Sequence, residues 1–205
     1  RLELARKKLF NYRNKRVHPL KDDKILTDWN GLMIAALAKG AQAFDEPQYA
    51  EVACRAAGFI LGNMRRADGR LLHQRRVEPA GIGANLDDYA FLVWALIELY
   101  EATFDTNHLR CALELTSDML KHFWDEAGGG LYLTPDDGES LLVRSKEIHD
   151  GAVPSGNSVA MLNLLRLGRM TSNSDFEEKA ADIGRAFSGN IRQSPAAHGQ
   201  LLVAL

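Results

Sequence analysis

The chain has 205 residues, of which 46% are hydrophobic and 25% are charged, and its formal net charge is −2. This composition excludes a disordered chain, because disordered chains have fewer apolar residues and a larger net charge. No apolar run approaches the roughly 20 residues of a membrane helix, and the chain lacks the basic excess of a nucleic-acid-binding protein. We therefore expect a globular protein with neither a membrane nor a nucleic acid as partner.

The first predicted element is a basic amphipathic helix over residues 2–16. Residues 1–24 contain nine Lys or Arg and three Asp or Glu, which gives this stretch a local charge of +6. Such a charge indicates either a solvated helix face or a docking surface for an anionic partner.

Most of the remaining chain is predicted to form helices in pairs. Thr27 and Asp28 are a helix start signal, and the helix that follows them is apolar on nearly every face, so we expect it to be buried. Pro47 opens the next helix at its first turn, where the missing N–H has no cost. The predicted segments after the first are 28–44, 47–65, 85–104, 107–124, 157–171 and 175–191, with a last apolar stretch from 194 to the end.

Two short β segments are predicted between the helices. A strand is expected at 70–74, after the turn at Asp68 and Gly69. A small hairpin is expected within 128–146, across the turn at 136–138.

An internal repeat organises the helices. A shift of 59 residues places Asp28 on Asp87, and a shift of 127 places Asn30 on Asn157, so the successive spacings are 59 and 68. Each unit is a very apolar helix followed by an amphipathic one, which predicts an inner and an outer layer. Such hairpins build a solenoid or a closed α/α toroid. In a toroid the inner helices are parallel, so their polar N-termini gather at one end.

Three motifs resemble one family at matching spacing: DDKILTDWNG at 22–31, LDDYA at 86–90 and DGAVPSGNS at 150–158. It is the thioredoxin-domain-containing family related to spermatogenesis-associated protein, also called YyaL-like. The resemblance implies a thioredoxin-like domain followed by a six-hairpin α/α toroid, similar to glycosidases and to N-acylglucosamine 2-epimerases. This chain has helix for about four hairpins and no Cys-x-x-Cys motif. We therefore expect residues 1–205 to be a segment of one toroid domain within a longer chain.

The cysteines and glycines carry no cofactor signal. Cys54 and Cys111 are isolated, so they do not form a disulfide framework, and free thiols fit the reducing cytoplasm. No His or Cys cluster has the spacing of a zinc site. The glycine run at 128–130 lacks the Lys and the Ser or Thr of a phosphate-binding loop. We expect neither a metal nor a cofactor, and a cytoplasmic protein.

Acidic and aromatic residues at the inner helix starts are the first candidates for a site. Asp87 and Asp88 are predicted in the first turn of an inner helix, where they either complement the helix dipole or supply a general acid or base. Asp28 has the same two interpretations. Trp29 and Tyr89 either stack on a sugar ring or pack in the core.

The remaining candidates are polar residues of helix starts and loops. Asn30 and Asn157 either contact a substrate or bond the local backbone. His149 and Asp150 precede an inner helix and form a plausible acid/base pair. The further candidate substrate contacts are His73 and Ser155.

Three functions remain open from the sequence. In a sugar hydrolase two carboxylates flank the scissile bond, for example Asp88 and Asp150. In an epimerase two histidines face each other across the sugar, and His73 and His149 are the plausible pair. The alternative is a non-catalytic interaction module that accompanies a thioredoxin-like domain. The expected partners are a small molecule such as a sugar and a second copy of the chain. The second copy is expected because an open arc of hairpins exposes apolar end faces.

Overall fold

The computed structural model describes residues 1–76, 81–139 and 141–205. Helices dominate these residues, and the predicted fold class is confirmed: the protein is all-α with one small sheet. The elements are α1 (Leu2–Arg13), β1 (Ile25–Leu26), α2 (Thr27–Phe44), α3 (Pro47–Asn63), β2 (Leu72–Arg75), β3 (Ile82–Gly83), α4 (Leu86–Thr103), α5 (Thr106–Phe123), α6 (Gly156–Thr171), α7 (Ser174–Ala186), α8 (Ser188–Gln193), a 3₁₀ turn (Pro195–Ala197) and α9 (Gly199–Ala204).

Three helical hairpins form the body of the protein: α2 with α3, α4 with α5, and α6 with α7. α4 packs between α2 and α6 and is buried along most of its length, whereas α5 and α7 bury only one face. This is the predicted arrangement of apolar inner helices and amphipathic outer helices. The sequence predicts about four hairpins. The structure has three complete ones, and α9 packs against the side of α6 where a fourth inner helix would lie.

The repeat is visible in the backbone at the end of each inner helix. Asp45, Phe104 and Ser172 follow α2, α4 and α6, and their φ angles are 55°, 57° and 55°. This left-handed conformation is uncommon for residues other than glycine. The three residues are 59 and then 68 residues apart, which are the spacings predicted from the sequence.

The core is centred on α4 and depends on close contact with α2. Phe91, Leu92 and Leu96 are fully buried, and burial of each such side chain stabilises the fold by about 1.5–3 kcal/mol. Gly31 of α2 lies against the backbone of Phe91. A Cβ atom at Gly31 would be 2.8 Å from the carbonyl carbon of Phe91. Glycine is therefore what allows the two inner helices to approach this closely.

The small sheet is attached to the start of α2. Its strands lie in the order β1–β2–β3 and are antiparallel, with Leu26 opposite Gln74. The buried hydroxyl of Thr27 donates to the carbonyl oxygen of Leu72 at 2.6 Å. The strand predicted at 70–74 is therefore confirmed with a small shift, and its position beside the first turn of α2 is fixed by Thr27.

The hairpin predicted within 128–146 is wrong for the part of that segment the structure describes. These residues contain no strand of the sheet, and Ser140 lies outside the described residues. Leu131 instead forms an isolated antiparallel bridge with Trp124 at the end of α5. The backbone of this segment thus bonds to the end of α5, and it also bonds once to itself, since the N–H of Leu133 donates to the carbonyl oxygen of Ser145 at 2.8 Å.

The apolar residues of the N-terminal helix α1 are exposed and do not pack on the core. α1 ends at Arg13, earlier than the predicted 2–16, and none of its residues is buried. Leu9 and Phe10 are 71% and 61% exposed. No helix among the described residues is long and apolar enough to cross a membrane.

Candidate functional site

Carboxylates from neighbouring helices cap the starts of the inner helices. Oδ1 of Asp88 in α4 accepts the backbone N–H of Asp28 in α2 at 3.0 Å. Asp87, also in α4, accepts the backbone N–H of Gly156 at the start of α6. The first N–H groups of a helix have no partner within the helix and attract negative charge. These contacts bring the starts of α2, α4 and α6 together at one end, as the repeat predicts.

Asp88 is the centre of this cluster and is fully buried. Its Oδ2 accepts the backbone N–H of Asn85 at 2.8 Å, which completes a capping box at the start of α4. Both of its oxygens lie 3.1 Å from Nδ1 of His73. The sequence presents Asp88 as a catalytic acid or base facing the cleft. Because it is buried and accepts three N–H groups, its place is that of a residue that positions His73.

His73 connects the cluster to solvent. It lies on β2, and its side chain is 26% exposed whereas that of Asp88 is not exposed. The hydrogen bond to Asp88 is the largest cause that raises the pKa of His73 above its ordinary value of 6.5. A carboxylate can only accept, so Nδ1 is the donor. In the neutral ring Nε2 is then the proton acceptor.

Two further carboxyl groups are shifted toward neutral pH. Burial, followed by the charge of Asp88, raises the pKa of Asp28. Burial, followed by the charges of Asp88 and Glu147, raises the pKa of Asp87 to about 6. Burial and neighbouring negative charge both disfavour the ionised carboxylate. The cluster therefore combines a histidine with carboxyl groups that hold protons unusually tightly.

The residues next to Asp28 border a pocket at the rim of the cluster. Trp29 is 65% exposed, so it is available to a ligand and does not pack in the core. The Nδ2 atom of Asn30 donates to the carbonyl oxygen of Leu26 at 2.7 Å, which is the local backbone bond that asparagine readily makes. Trp29 and Asn30, together with Asp22, Lys24 and Leu26, line a pocket of about 360 Å³.

Tyr89 belongs to the core. It is 1% exposed, its ring centroid is 5.4 Å from that of Phe123, and its hydroxyl oxygen accepts the N–H of Leu71 at 3.3 Å. Of the two interpretations of Tyr89, the structure thus shows the packing in the core, with its ring against Phe123 and its hydroxyl bonded to the backbone.

Asp150 caps a helix and holds a loop. Its Oδ1 accepts the N–H of Ser155 at 2.9 Å, and its Oδ2 accepts the N–H of Gln200, in the first turn of α9, at 2.8 Å. His149 beside it is exposed. The two carboxylates expected to flank a scissile bond, Asp88 and Asp150, are thus both engaged by backbone N–H groups.

Ser155 and Asn157 form structural hydrogen bonds at the start of α6. Oγ of Ser155 accepts the N–H of Ser158 at 3.1 Å and caps α6. Asn157 is fully buried. Its Oδ1 accepts the N–H of Leu131, and its Nδ2 donates to the carbonyl oxygens of Leu131 and Glu147. Its amide therefore fastens the loop that precedes α6.

Asp28, His73 and Asp88 also have the composition of a metal site, which the sequence does not predict. One ligand atom from each lies within 4.8 Å of the other two. The set is invisible to sequence spacing because its members come from α2, β2 and α4. The hydrogen bonds that Asp88 accepts make a proton-sharing cluster the better description. A second set with this spacing consists of His122, Asp136 and Asp137.

Comparison with known proteins shows relatives along the whole chain, although no family model matches. The chain is 36% identical to human spermatogenesis-associated protein 20 over 208 residues, and 35% identical to the rat protein over 217. An uncharacterized protein of Caenorhabditis elegans is 34% identical. These matches cover 97% to 100% of this chain and 26% to 29% of the relatives. The chain thus spans little more than a quarter of their length.

Solved structures of three enzymes share the fold. A family 76 α-mannanase of Bacteroides thetaiotaomicron has a TM-score of 0.65, 18% identity and coverage of 83% of this chain and 46% of that one. Cellobiose 2-epimerase of Spirochaeta thermophila has a TM-score of 0.63 and 19% identity, and the match covers 80% of this chain and 43% of that one. A family 105 glycoside hydrolase of C. acetobutylicum has a TM-score of 0.65 and 20% identity, and the match covers 90% of this chain and 57% of that one. The chain is therefore related over its whole length to one segment of the spermatogenesis-associated protein 20 family, and it has the α/α toroid fold of these carbohydrate-active enzymes.

Proposed function

We propose that this chain supplies part of the sugar site of an α/α toroid and that the site works by general acid–base chemistry. His73 is the acid–base group, Asp88 positions it, and Asp28 and Asp87 are the neighbouring proton donors. The observation that carries the proposal is the contact of 3.1 Å between Nδ1 of His73 and the buried Asp88, on a side chain that is still 26% exposed.

The protonation of the cluster suits proton transfer near neutral pH. General acid–base catalysis is most effective when the pKa of the catalytic group is close to the working pH. The pKa of Asp87 is about 6, and that of His73 lies above 6.5. Asp87 therefore keeps its proton to a higher pH than an ordinary carboxyl group, and the imidazole of His73 keeps its proton to a higher pH than an ordinary histidine.

An epimerase or isomerase is favoured over a hydrolase. Hydrolysis needs two carboxyl groups that face the scissile bond, and Asp88 and Asp150 both bind backbone N–H groups. Epimerisation needs one group to remove a proton from a sugar carbon and another to return one. The contacts and charges of the described residues join His73 to Asp88 and Asp87, and not to His149. Similar folds include cellobiose 2-epimerase and D-mannose isomerase.

We also propose that residues 1–205 belong to a single toroid domain in which further hairpins complete the cleft. The chain covers 43% to 57% of the toroid enzymes described above. Apolar side chains of α2 and α3 face outward at one end of the arc, with Met33 59% and Phe44 73% exposed. A further hairpin or a second copy of the chain would bury them. The proposed location remains the cytoplasm, on the basis of the two free thiols of Cys54 and Cys111.

The test is turnover of cellobiose and D-mannose by the full-length protein. His73→Ala is expected to lower kcat by about 10²–10⁴, which is the usual contribution of a general acid or base. Asp88→Asn should lower kcat and shift the pH profile, because the variant changes the group that holds the imidazole. The matched control is His18→Ala, an exposed histidine outside the cluster. Binding of a sugar without turnover, unaffected by His73→Ala, would favour the non-catalytic interaction module.

A further inference from the structure

The exposure pattern of α4 marks one face of an otherwise buried helix. From residue 86 to residue 99, Asp87 and Trp94 are partly exposed and every other position is buried. All residues from 100 to 103 at the end of α4 are partly exposed, and among them Glu101 continues the spacing of seven. A spacing of seven residues is close to two helical turns, so the three side chains project from the same face.

This face of α4 looks into the space between α2 and α6. Glu98, four residues after Trp94, is on the same face, and its Oε1 accepts from Nζ of Lys39 in α2 at 3.1 Å and from Nη1 of Arg166 in α6 at 2.6 Å. Glu98 therefore links α4 to both neighbouring inner helices, and Trp94 lies beside this link. We call the surface formed by Asp28, Asp87, Trp94 and the Lys39–Glu98–Arg166 cluster the concave face.

Trp94 is fixed in place on the concave face. Its Nε1 donates to Oε1 of Glu98 at 2.8 Å, while the rest of the side chain packs on the core and remains partly exposed. The polar edge of the indole is therefore satisfied by Glu98. What the residue offers to the concave face is aromatic surface, which suits the apolar side of a sugar ring.

We propose that Trp94 forms a second sugar subsite and that the substrate contains at least two linked sugar rings. Seven residues of helix place Trp94 about 10 Å from Asp87 along the axis, which is close to the span of two linked rings. One ring would lie beside His73 and Asp87, and the next would stack on Trp94. The proposal rests on the proposed sugar function. It adds the size of the substrate and the residue, Trp94, that would bind the second ring.

The experiment compares binding of a monosaccharide and of larger sugars to the full-length protein. The probes are D-mannose, cellobiose and α-1,6-mannotriose, measured by calorimetry. The larger sugar is expected to bind at least about tenfold more tightly than D-mannose, a difference of about 1.4 kcal/mol. Trp94→Leu should remove this advantage and leave the Kd of D-mannose unchanged. Trp94→Phe, which keeps an aromatic ring and loses the bond to Glu98, should retain part of it.

Trp124→Phe is the matched control, because Trp124 lies at the end of α5 with Nζ of Lys179 4.2 Å from its ring centroid, away from the concave face. An equal loss of affinity for all sugars in Trp94→Leu would show that Trp94 only supports the fold and would overturn the subsite. The same holds if D-mannose binds as tightly as the larger sugars. If no probe binds the parent protein, the proposed sugar function fails and the subsite fails with it. If the parent protein binds the larger sugars more tightly and Trp94→Leu leaves this preference unchanged, the subsite is wrong and the proposed sugar function stands.

Discussion

The starts of the inner helices are built in two ways, although all of them are capped by carboxylates. At the start of α2 and α4, Asp88 accepts backbone N–H groups and also the ring N–H of His73. At the start of α9, Asp150 accepts the backbone N–H groups of Gln200 and Leu201, and it also accepts that of Ser155, the residue before α6. We call the first region the histidine start and the second the backbone start.

The two starts differ in the side chain that contacts the capping carboxylate. Capping alone explains why a carboxylate lies at each of these helix starts, because unpaired N–H groups need acceptors. The histidine start differs because β2 brings a partly exposed imidazole to the buried carboxylate. The proposed acid–base chemistry therefore depends on the small sheet that joins the first two hairpins.

The largest expected effect on stability is at the buried carboxylate of the histidine start. Asp88→Asn replaces an acceptor of three N–H groups by an amide that offers one acceptor oxygen. We expect the free energy of unfolding to fall by about 2–4 kcal/mol, since buried donors lose their partner. Asp150→Asn, which is less buried, should cost about 1–2 kcal/mol, as other lost caps do. Chemical denaturation of both variants measures the difference, and equal losses would contradict the distinction between the two starts.

The close approach of α2 and α4 should have the next largest effect. Gly31→Ala places a Cβ atom 2.8–2.9 Å from the backbone of Phe91 and Leu92, which forces the helices apart. Overpacking of this kind costs about 1–3 kcal/mol. It should also disturb the bond between Asp88 and the N–H of Asp28, so the pKa of His73 should change with it.

The control for this substitution is a glycine in an outer helix with free space around it. Gly62→Ala in α3 meets nothing within 4 Å, so it should stabilise the protein by about 0.4–1 kcal/mol. Thermal unfolding of the two variants beside the parent measures the expected loss of stability in Gly31→Ala and the expected gain in Gly62→Ala. A Gly31→Ala protein as stable as the parent would show that the inner helices do not need this contact.

A further expected effect is a pH dependence of stability at Asp87, which is present only where this carboxyl group is ionised. Because the pKa of Asp87 is raised from 3.8 to about 6, its ionisation costs stability as the pH rises through this range. Asp87→Asn removes that cost and keeps an acceptor for the N–H of Gly156. The variant should therefore be more stable than the parent by about 1–3 kcal/mol above pH 7 and no more stable below about pH 3.5. A gain that is the same at both pH values would contradict the shifted pKa.

The fold was accessible from the sequence because its determinants are periodic. The apolar helix from Thr27, the repeat from Asp28 to Asp87 and the spacings of 59 and 68 predict the inner and outer helices, and the structure confirms them. The hairpin within 128–146 was not predictable in the same way. Its apolar and glycine pattern fits a strand pair, and only the tertiary bridge between Leu131 and Trp124 shows what its backbone contacts.

The site was accessible only in part. The acids at the helix starts can be found by position, but the sequence cannot show that Asp88 is buried or that His73 reaches it across fifteen residues. For Asp150 and Asn157 the sequence cannot separate a structural bond from a substrate contact, because both use the same residue types. Trp94, which we propose as a subsite, gives no signal of binding in the sequence, because a tryptophan in an apolar helix is typical of a core. The spacing of seven residues between Asp87 and Trp94 was the one signal in the sequence that both side chains lie on the same face of the helix.

The most direct test of the histidine start is the titration of ¹⁵N-labelled histidines in the full-length protein, with and without cellobiose. We predict a pKa of His73 above 6.5, a lower value in Asp88→Asn, and a change in the His73 signals on addition of the sugar, with the signals of His18 unchanged. A His73 that titrates at or below 6.5 and is insensitive to both Asp88→Asn and cellobiose would contradict the account. The cluster would then be a helix cap and no more.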